Sequence, residues 1–341
     1  MTAQKKRRSN MKCINTVDAV GHVLCHDITR IVKDVTKDTA FRKGHIVTEE
    51  DIPVLLSLGK DHLYVWEKDE SMLHENEAAQ ILCEICENAN MHPTEVKEGK
   101  IELIADCDGL FRVDVARLDA INEIDEIMIA TRHSHTAVKK GDRLLGTRVI
   151  PLVIAKDKME QVRTVAGTEP LVSLTPFRSM KAGIVTTGNE VYYGRIEDTF
   201  TPVIVEKLSA YGIGVCGHLL WDDNMDKITE DMILCTGGMS VDLGGRRIIK
   251  KKNTGARIVS YGAPVLPGAM FLLAYFEDGT PVMGLPGCVM YAKATVFDLV
   301  LPSVAAGVEV TKKQLSHMGN GGFCLGCKPC HYPNCGFGNC L

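Results

Sequence analysis

Apolar positions recur along this chain in three rhythms. From Met11 to about Glu67 short apolar runs, Val17 to Leu24 and His62 to Trp66, flank an acidic helix start at Thr48-Glu49-Glu50-Asp51. That start leads into Ile52 to Leu58 and is closed by Gly59, so a small α+β module is expected here. Glu75 to Asn88 sets Ala78, Ile81, Leu82, Ile85 and Cys86 at helical spacing, which predicts an amphipathic helix packed on that module. Residues 98 to 176 alternate apolar and polar positions around Gly109, Gly141 and Gly146, which predicts a mostly β segment.

After Met180 the rhythm becomes strand, loop, helix. Ala182 to Thr186, Ile213 to Leu220 and Met232 to Cys235 are compact apolar runs, and Asp198-Thr199 opens a helix with Val203, Ile204 and Leu208 on one face. Phe271 to Phe276 and Pro281 to Leu285 predict a hairpin across Asp278-Gly279, and Val289 to Val300 a closing helix. This alternation predicts an α/β fold, a three-layer domain with a largely parallel sheet. Only Asp222 to Asp231 joins two of its strands, short for a crossover, so the central sheet is expected to suffer there. The expected divisions are a disordered extension over 1–10, the α+β module over 11–95 and the mostly β segment over 96–180. The α/β domain follows over 181–307, and a cysteine-rich tail over 320–341.

Composition narrows the partners. The 341 residues carry a net charge of −4 and 45% hydrophobic positions, enough for two or three domains but without a basic field to hold nucleic acid. The longest uncharged stretch, Ile258 to Phe276, is broken by Pro264, Pro267 and Gly268, so no membrane span is expected. The first ten residues are basic but lack the apolar run of a secretory leader, and a cytoplasmic protein is expected.

Five of the thirteen cysteines crowd the end of the chain: Cys324, Cys327, Cys330, Cys335 and Cys340. An odd count with no export signal argues against a disulfide framework. A segment so rich in glycine and cysteine is expected to be ordered by a bound ion rather than by a core of its own. Zinc would take four of these thiolates, with His331 a substitute ligand, and an iron–sulfur cluster is the rival. The wider Cys330 to Cys335 spacing favours zinc. Cys83 and Cys86, three apart on a predicted helix, read as core residues rather than half of a metal site.

Chemistry is expected where loops follow strands, because backbone N–H groups there meet anions. Three such loops carry glycine: Thr187-Gly188-Asn189-Glu190, Thr236-Gly237-Gly238-Met239-Ser240-Val241-Asp242, and Leu285-Pro286-Gly287-Cys288. With the turn Pro267-Gly268 between the last two, their order resembles the molybdopterin-binding domain of the molybdopterin molybdenumtransferases, the molybdate insertases and the E domain of gephyrin. The resemblance covers about 181–305. It implies a homodimer that binds adenylated molybdopterin and inserts molybdate with release of AMP.

On that resemblance Thr187, Gly188, Asn189, Thr236, Gly237, Gly238, Ser240, Pro286 and Gly287 would hold the pterin and its phosphates. Glu190 and Asp242 would be the catalytic carboxylates, holding Mg²⁺ against the pyrophosphate. The chain departs from the family at Asn189, where an aspartate is usual, and at Leu266 and Ala269, where lysines flank the Pro-Gly pair. Neither replacement can meet an oxyanion as a lysine does. The alternatives are therefore a non-catalytic molybdopterin carrier or sensor with a metal-binding tail, and a degenerate domain that binds nothing.

Overall fold

The computed structural model describes residues 11–32, 36–66, 71–186, 198–220, 230–236 and 256–338. The expected extension over 1–10 lies outside them, as do Thr187, Gly188, Asn189, Glu190, Gly237, Gly238, Ser240, Asp242 and Cys340.

The first module closes on Ala19, Leu24, Ile28, Val47, Leu55, Leu63 and Val65. Strands Met11–Asn15 and Val23–Leu24 both pair antiparallel with His62–Trp66, where Leu63 and Val65 turn inward while His62 and Tyr64 face water. The acidic start opens the helix Asp51–Ser57, and Gly59 ends it at φ 72°.

The helix Glu75–Cys86 packs on the second core, not on the first module as its position in the sequence suggested. Its stripe of Ala78, Ala79, Leu82, Cys83 and Cys86 meets the inward residues of Lys100–Ala105 and Arg143–Val149, among them Ile101, Leu103 and Leu144. His74 caps it: the ring accepts from Asn76 N–H at 3.2 Å, and Glu77 accepts from His74 N–H at 2.8 Å. The other ring nitrogen of His74 bonds Gly44 O at 2.7 Å, which ties the two units together.

The stretch expected to be mostly β contains two helices, Val115–Asn122 and Lys156–Ala166, beside its strands. The second offers Met159, Val162, Val165 and Ala166 to the core, a stripe at helical spacing that a reading by alternation passed over. Cys83 and Cys86 are buried, and burial pushes their thiols up to about 11 and about 12. They are core residues, as expected.

The third unit is built on a six-stranded sheet. Its strands are β1 (Lys181–Thr186), β2 (Gly214–Leu220), β3 (Met232–Thr236), β4 (Arg257–Tyr261), β5 (Leu272–Tyr275) and β6 (Pro281–Gly284), in the order β2-β1-β3-β6-β5-β4. The pairs β1·β2, β1·β3 and β3·β6 are parallel, and the hairpin β5·β6 is antiparallel as its sequence predicts. Ala182, Ile184, Met232, Leu234 and Met283 enter one core, and their neighbours Val185, Ile233, Cys235 and Val282 another. Burial on both faces is why these strands read as unbroken apolar runs.

The short link between β2 and β3 leaves the sheet whole, because β1 pairs with both and Asp231 closes the corner. Its carboxylate accepts from Lys181 N–H at 2.8 Å, and its own N–H donates to Lys181 O at 3.0 Å.

Helices α1 (Phe200–Ser209), α2 (Val296–Ala305) and α3 (Lys312–His317) contribute to the larger of the two cores. The closing helix begins later than its apolar run suggests. Gly287–Met290 is a 3₁₀ turn, and α2 starts only where Thr295 and Asp298 cap each other: Thr295 Oγ1 accepts from Phe297 N–H at 3.2 Å and Asp298 from Thr295 N–H at 2.7 Å.

The described part of the tail packs on the α/β domain. Phe337 is buried in the α2 core, and Tyr332, Cys324 and Cys335 lie against it. Tyr332 O–H donates to Asp298 O at 3.1 Å, and Gly338 N–H to Gly321 O at 3.0 Å, which closes the tail into a loop. Among the described residues no helix is long and apolar enough to cross a membrane.

Candidate functional site

The carboxyl ends of β1, β3 and β6 lie side by side, and the three glycine-bearing loops leave the sheet from there. Period two along β1 puts Thr186 on the face of Ala182 and Ile184, and along β3 it puts Thr236 on the face of Met232 and Leu234. Register aligns the two threonines across the β1·β3 pair. Both are buried, and Thr236 Oγ1–H donates to Thr186 Oγ1 at 3.0 Å. Sequence reading named Thr236 and missed Thr186, although the alternation from Ala182 pointed to it.

The third loop arrives on the same side. Leu285 N–H donates to Cys235 O at 2.8 Å, extending the β3·β6 pairing by one bond. Pro286 is buried and precedes the 3₁₀ turn, whereas Gly287 is exposed with open space where a Cβ would stand. A backbone bare of side chain at a strand end is what an approaching phosphate requires. Thr199 O–H donates to Met290 Sδ at 3.1 Å, which brings the start of α1 beside this turn. That helix start is already occupied by its own anion: Asp198 accepts from Phe200 N–H at 2.9 Å and Thr201 N–H at 3.1 Å. An anionic ligand here would thus be met by loop N–H groups and hydroxyls rather than by α1.

The turn Leu266-Pro267-Gly268 touches two other elements. A Cβ at Gly268, where φ is 119°, would stand 3.0 Å from Val296 N at the start of α2. Leu266 O accepts from Cys324 N–H at 2.8 Å, and Leu266 N–H donates to Gly322 O at 2.8 Å. The position where the resembling family carries a lysine is here an exposed leucine bonded to the tail.

Of the tail cysteines, Cys327 and Cys330 are exposed while Cys324 and Cys335 are half-buried. Among the described residues no three His, Cys, Asp or Glu side chains converge as a metal site needs.

Residues 183–306 match the family described as the probable molybdopterin binding domain. Residues 13–67 match a domain of unknown function, DUF8806. No curated protein matches the chain.

Among solved structures the chain is similar to a molybdenum cofactor biosynthesis protein from Pyrococcus furiosus, at 14% identity and a TM-score of 0.23, covering 89% of this chain and 68% of that one. It is also similar to the molybdopterin biosynthesis moeA protein from Pyrococcus horikosii, at 12% identity and a TM-score of 0.29, covering 87% and 75%. A structure of a molybdopterin biosynthesis moeA protein from Pyrococcus horikoshii OT3 gives 13% identity and a TM-score of 0.25, covering 89% and 76%. TM-scores this low leave the family match to carry the assignment. The matched span includes the β1, β3 and β6 ends and the Leu266-Pro267-Gly268 turn.

Proposed function

We propose that the matched domain binds molybdopterin at the carboxyl ends of β1, β3 and β6, and that the chain serves molybdenum cofactor biosynthesis by inserting molybdate with release of AMP. The observation that carries this reading is the match of residues 183–306, whose strand ends are those that Thr186, Thr236 and Pro286 bring together. Thr187, Gly188, Asn189, Gly237, Gly238, Ser240 and Gly287 would line the phosphates from the loops that start there. Glu190 and Asp242 would supply the carboxylates for Mg²⁺. Homodimer formation and a cytoplasmic location belong to the same proposal.

A second reading is favoured by the Leu266 turn. Where a lysine would face molybdate, an apolar residue is bonded into the tail instead, as fits a pterin carrier that does not insert metal. In that reading zinc or an iron–sulfur cluster would be held by thiolates from Cys324, Cys327, Cys330, Cys335 and Cys340.

Incubation with adenylated molybdopterin, Mg²⁺ and molybdate separates the two. Molybdate-dependent AMP release supports insertion, and its loss in Asp242→Ala assigns the carboxylate. Tight pterin binding without AMP release supports the carrier. Absence of pterin binding overturns both readings. Metal analysis after anaerobic purification tests the tail.

A further inference from the structure

A cleft of about 450 Å³ lies at the opposite end of the sheet, where the second unit meets the third. The segment Phe177-Arg178-Ser179 leads into β1, and Ser209 to Gly212 leads from α1 into β2, so both approach the amino ends of their strands. From the second unit come Asp108 and Lys139. A strand of six residues, about 20 Å at roughly 3.3 Å per residue, separates this cleft from the carboxyl ends.

Its charges are fixed by the fold. Lys139 Nζ donates to Asp108 at 2.7 Å and to Ala210 O at 3.4 Å, so the ammonium spans the seam with a third N–H to give. Asp108 also accepts from Lys140 N–H at 2.8 Å, and these donors hold its carboxyl below the usual range.

Arg178 is placed by its backbone, whose N–H donates to Ala305 O at 2.8 Å, and by its guanidinium, which fills the space a Cβ at Gly307 would need. It thus lies against the carbonyl end of α2, where a cation is favoured. Among the described residues no carboxylate forms an ion pair with it. One carboxylate against two cations leaves the cleft with a surplus of one positive charge. Phe177 and Tyr211 stand edge to face at 5.1 Å between ring centres and supply an apolar wall.

We propose that this seam cleft binds a small phosphate monoester bearing an aromatic or apolar group. Arg178 and Lys139 take the oxyanion, and Phe177 and Tyr211 the organic part. A guanidinium offers paired N–H donors to an oxyanion, and cleft volumes of this order accept small ligands. The proposal is independent of pterin binding, since it uses none of the residues at the other end of the sheet.

Calorimetric titration of the full chain with phenyl phosphate, and separately with inorganic phosphate, tests it. Phenyl phosphate is expected to bind more tightly than inorganic phosphate, and Arg178→Ala to weaken it by about tenfold or more. Arg178→Lys should fall between, and Arg143→Ala, an exposed arginine elsewhere, should change nothing. No binding of phenyl phosphate at millimolar concentration overturns the site. So does unchanged affinity in Arg178→Ala with a native circular dichroism spectrum. If Arg178→Ala does not fold, Lys139→Gln decides: weaker binding supports the site and unchanged affinity overturns it. Equal affinity for the two probes overturns the role of the aromatic wall.

Discussion

The two ends of one sheet solve the same problem in opposite ways. At the carboxyl ends of β1, β3 and β6 the described groups are hydroxyls and backbone, set by register, and the start of α1 is neutralised by Asp198. At the amino ends of β1 and β2 the groups are formal charges, pinned across the seam by Lys139, Asp108 and Arg178. Register can place a hydroxyl to a fraction of an ångström from local sequence alone. A charge from a distant segment needs a second unit to hold it.

The contrast is sharpened first by a charge pair held inside one unit, between α1 and α2. Lys207, near the end of α1, forms a buried ion pair with Asp298, which also caps α2. Asp298→Ala leaves the ammonium without its carboxylate and is expected to cost about 3–5 kcal/mol in urea unfolding. A cost under about 1 kcal/mol would show the pair to be no more than a surface contact.

At the carboxyl ends, Thr236→Val removes the hydroxyl that donates to the buried Thr186 and is expected to cost about 0.5–1.5 kcal/mol. The double variant with Thr186→Val should cost less than the sum of the two singles, and simple additivity would deny the bond.

The seam itself should respond to pH. His135 lies half-buried between the second unit and the α/β domain, with Nδ1 3.4 Å from Ser303 Oγ and Nε2 3.5 Å from Gln314 Nε2. Burial first, then the charge of Arg112, holds its pKa below the ordinary value. The unfolded chain therefore binds the proton more readily. His135 contributes stability that is present at neutral pH and lost as pH falls below about 6.5. Melting temperature measured from pH 7.5 down to 5 should fall less steeply in His135→Gln, and parallel curves would remove His135 from the effect. The smallest change is expected of Lys139→Ala, about 0–1 kcal/mol, because its pair with Asp108 is largely exposed.

The strands β1 and β3 were legible because they are apolar on both faces and end at threonine, so Ala182 to Thr186 and Met232 to Cys235 stand out by composition. The helix Lys156–Ala166 was not, although Met159, Val162, Val165 and Ala166 stand at helical spacing, because its stretch was read for alternation around glycines. The helix Glu75–Cys86 was recognised but given the wrong neighbour, since a stripe says that something is covered and not by what. At the carboxyl ends Thr236, Pro286 and Gly287 were singled out through loops contiguous in sequence, and the fold sets them at neighbouring strand ends. The seam cleft escaped because Asp108, Lys139, Arg178 and Tyr211 come from four segments that only the fold brings together. In the tail, attention to cysteines and glycines passed over Tyr332 and Phe337, which pack on the larger core.

Gly307 joins two of these stories. It follows α2 at φ 68°, a conformation that penalises any side chain, and it is also the floor on which Arg178 rests. The two positions are therefore expected to drift together. In a library of variants glycine should be retained at 307 wherever arginine stands at 178, and relaxed, down to the residues that tolerate left-handed backbone, wherever 178 has become small.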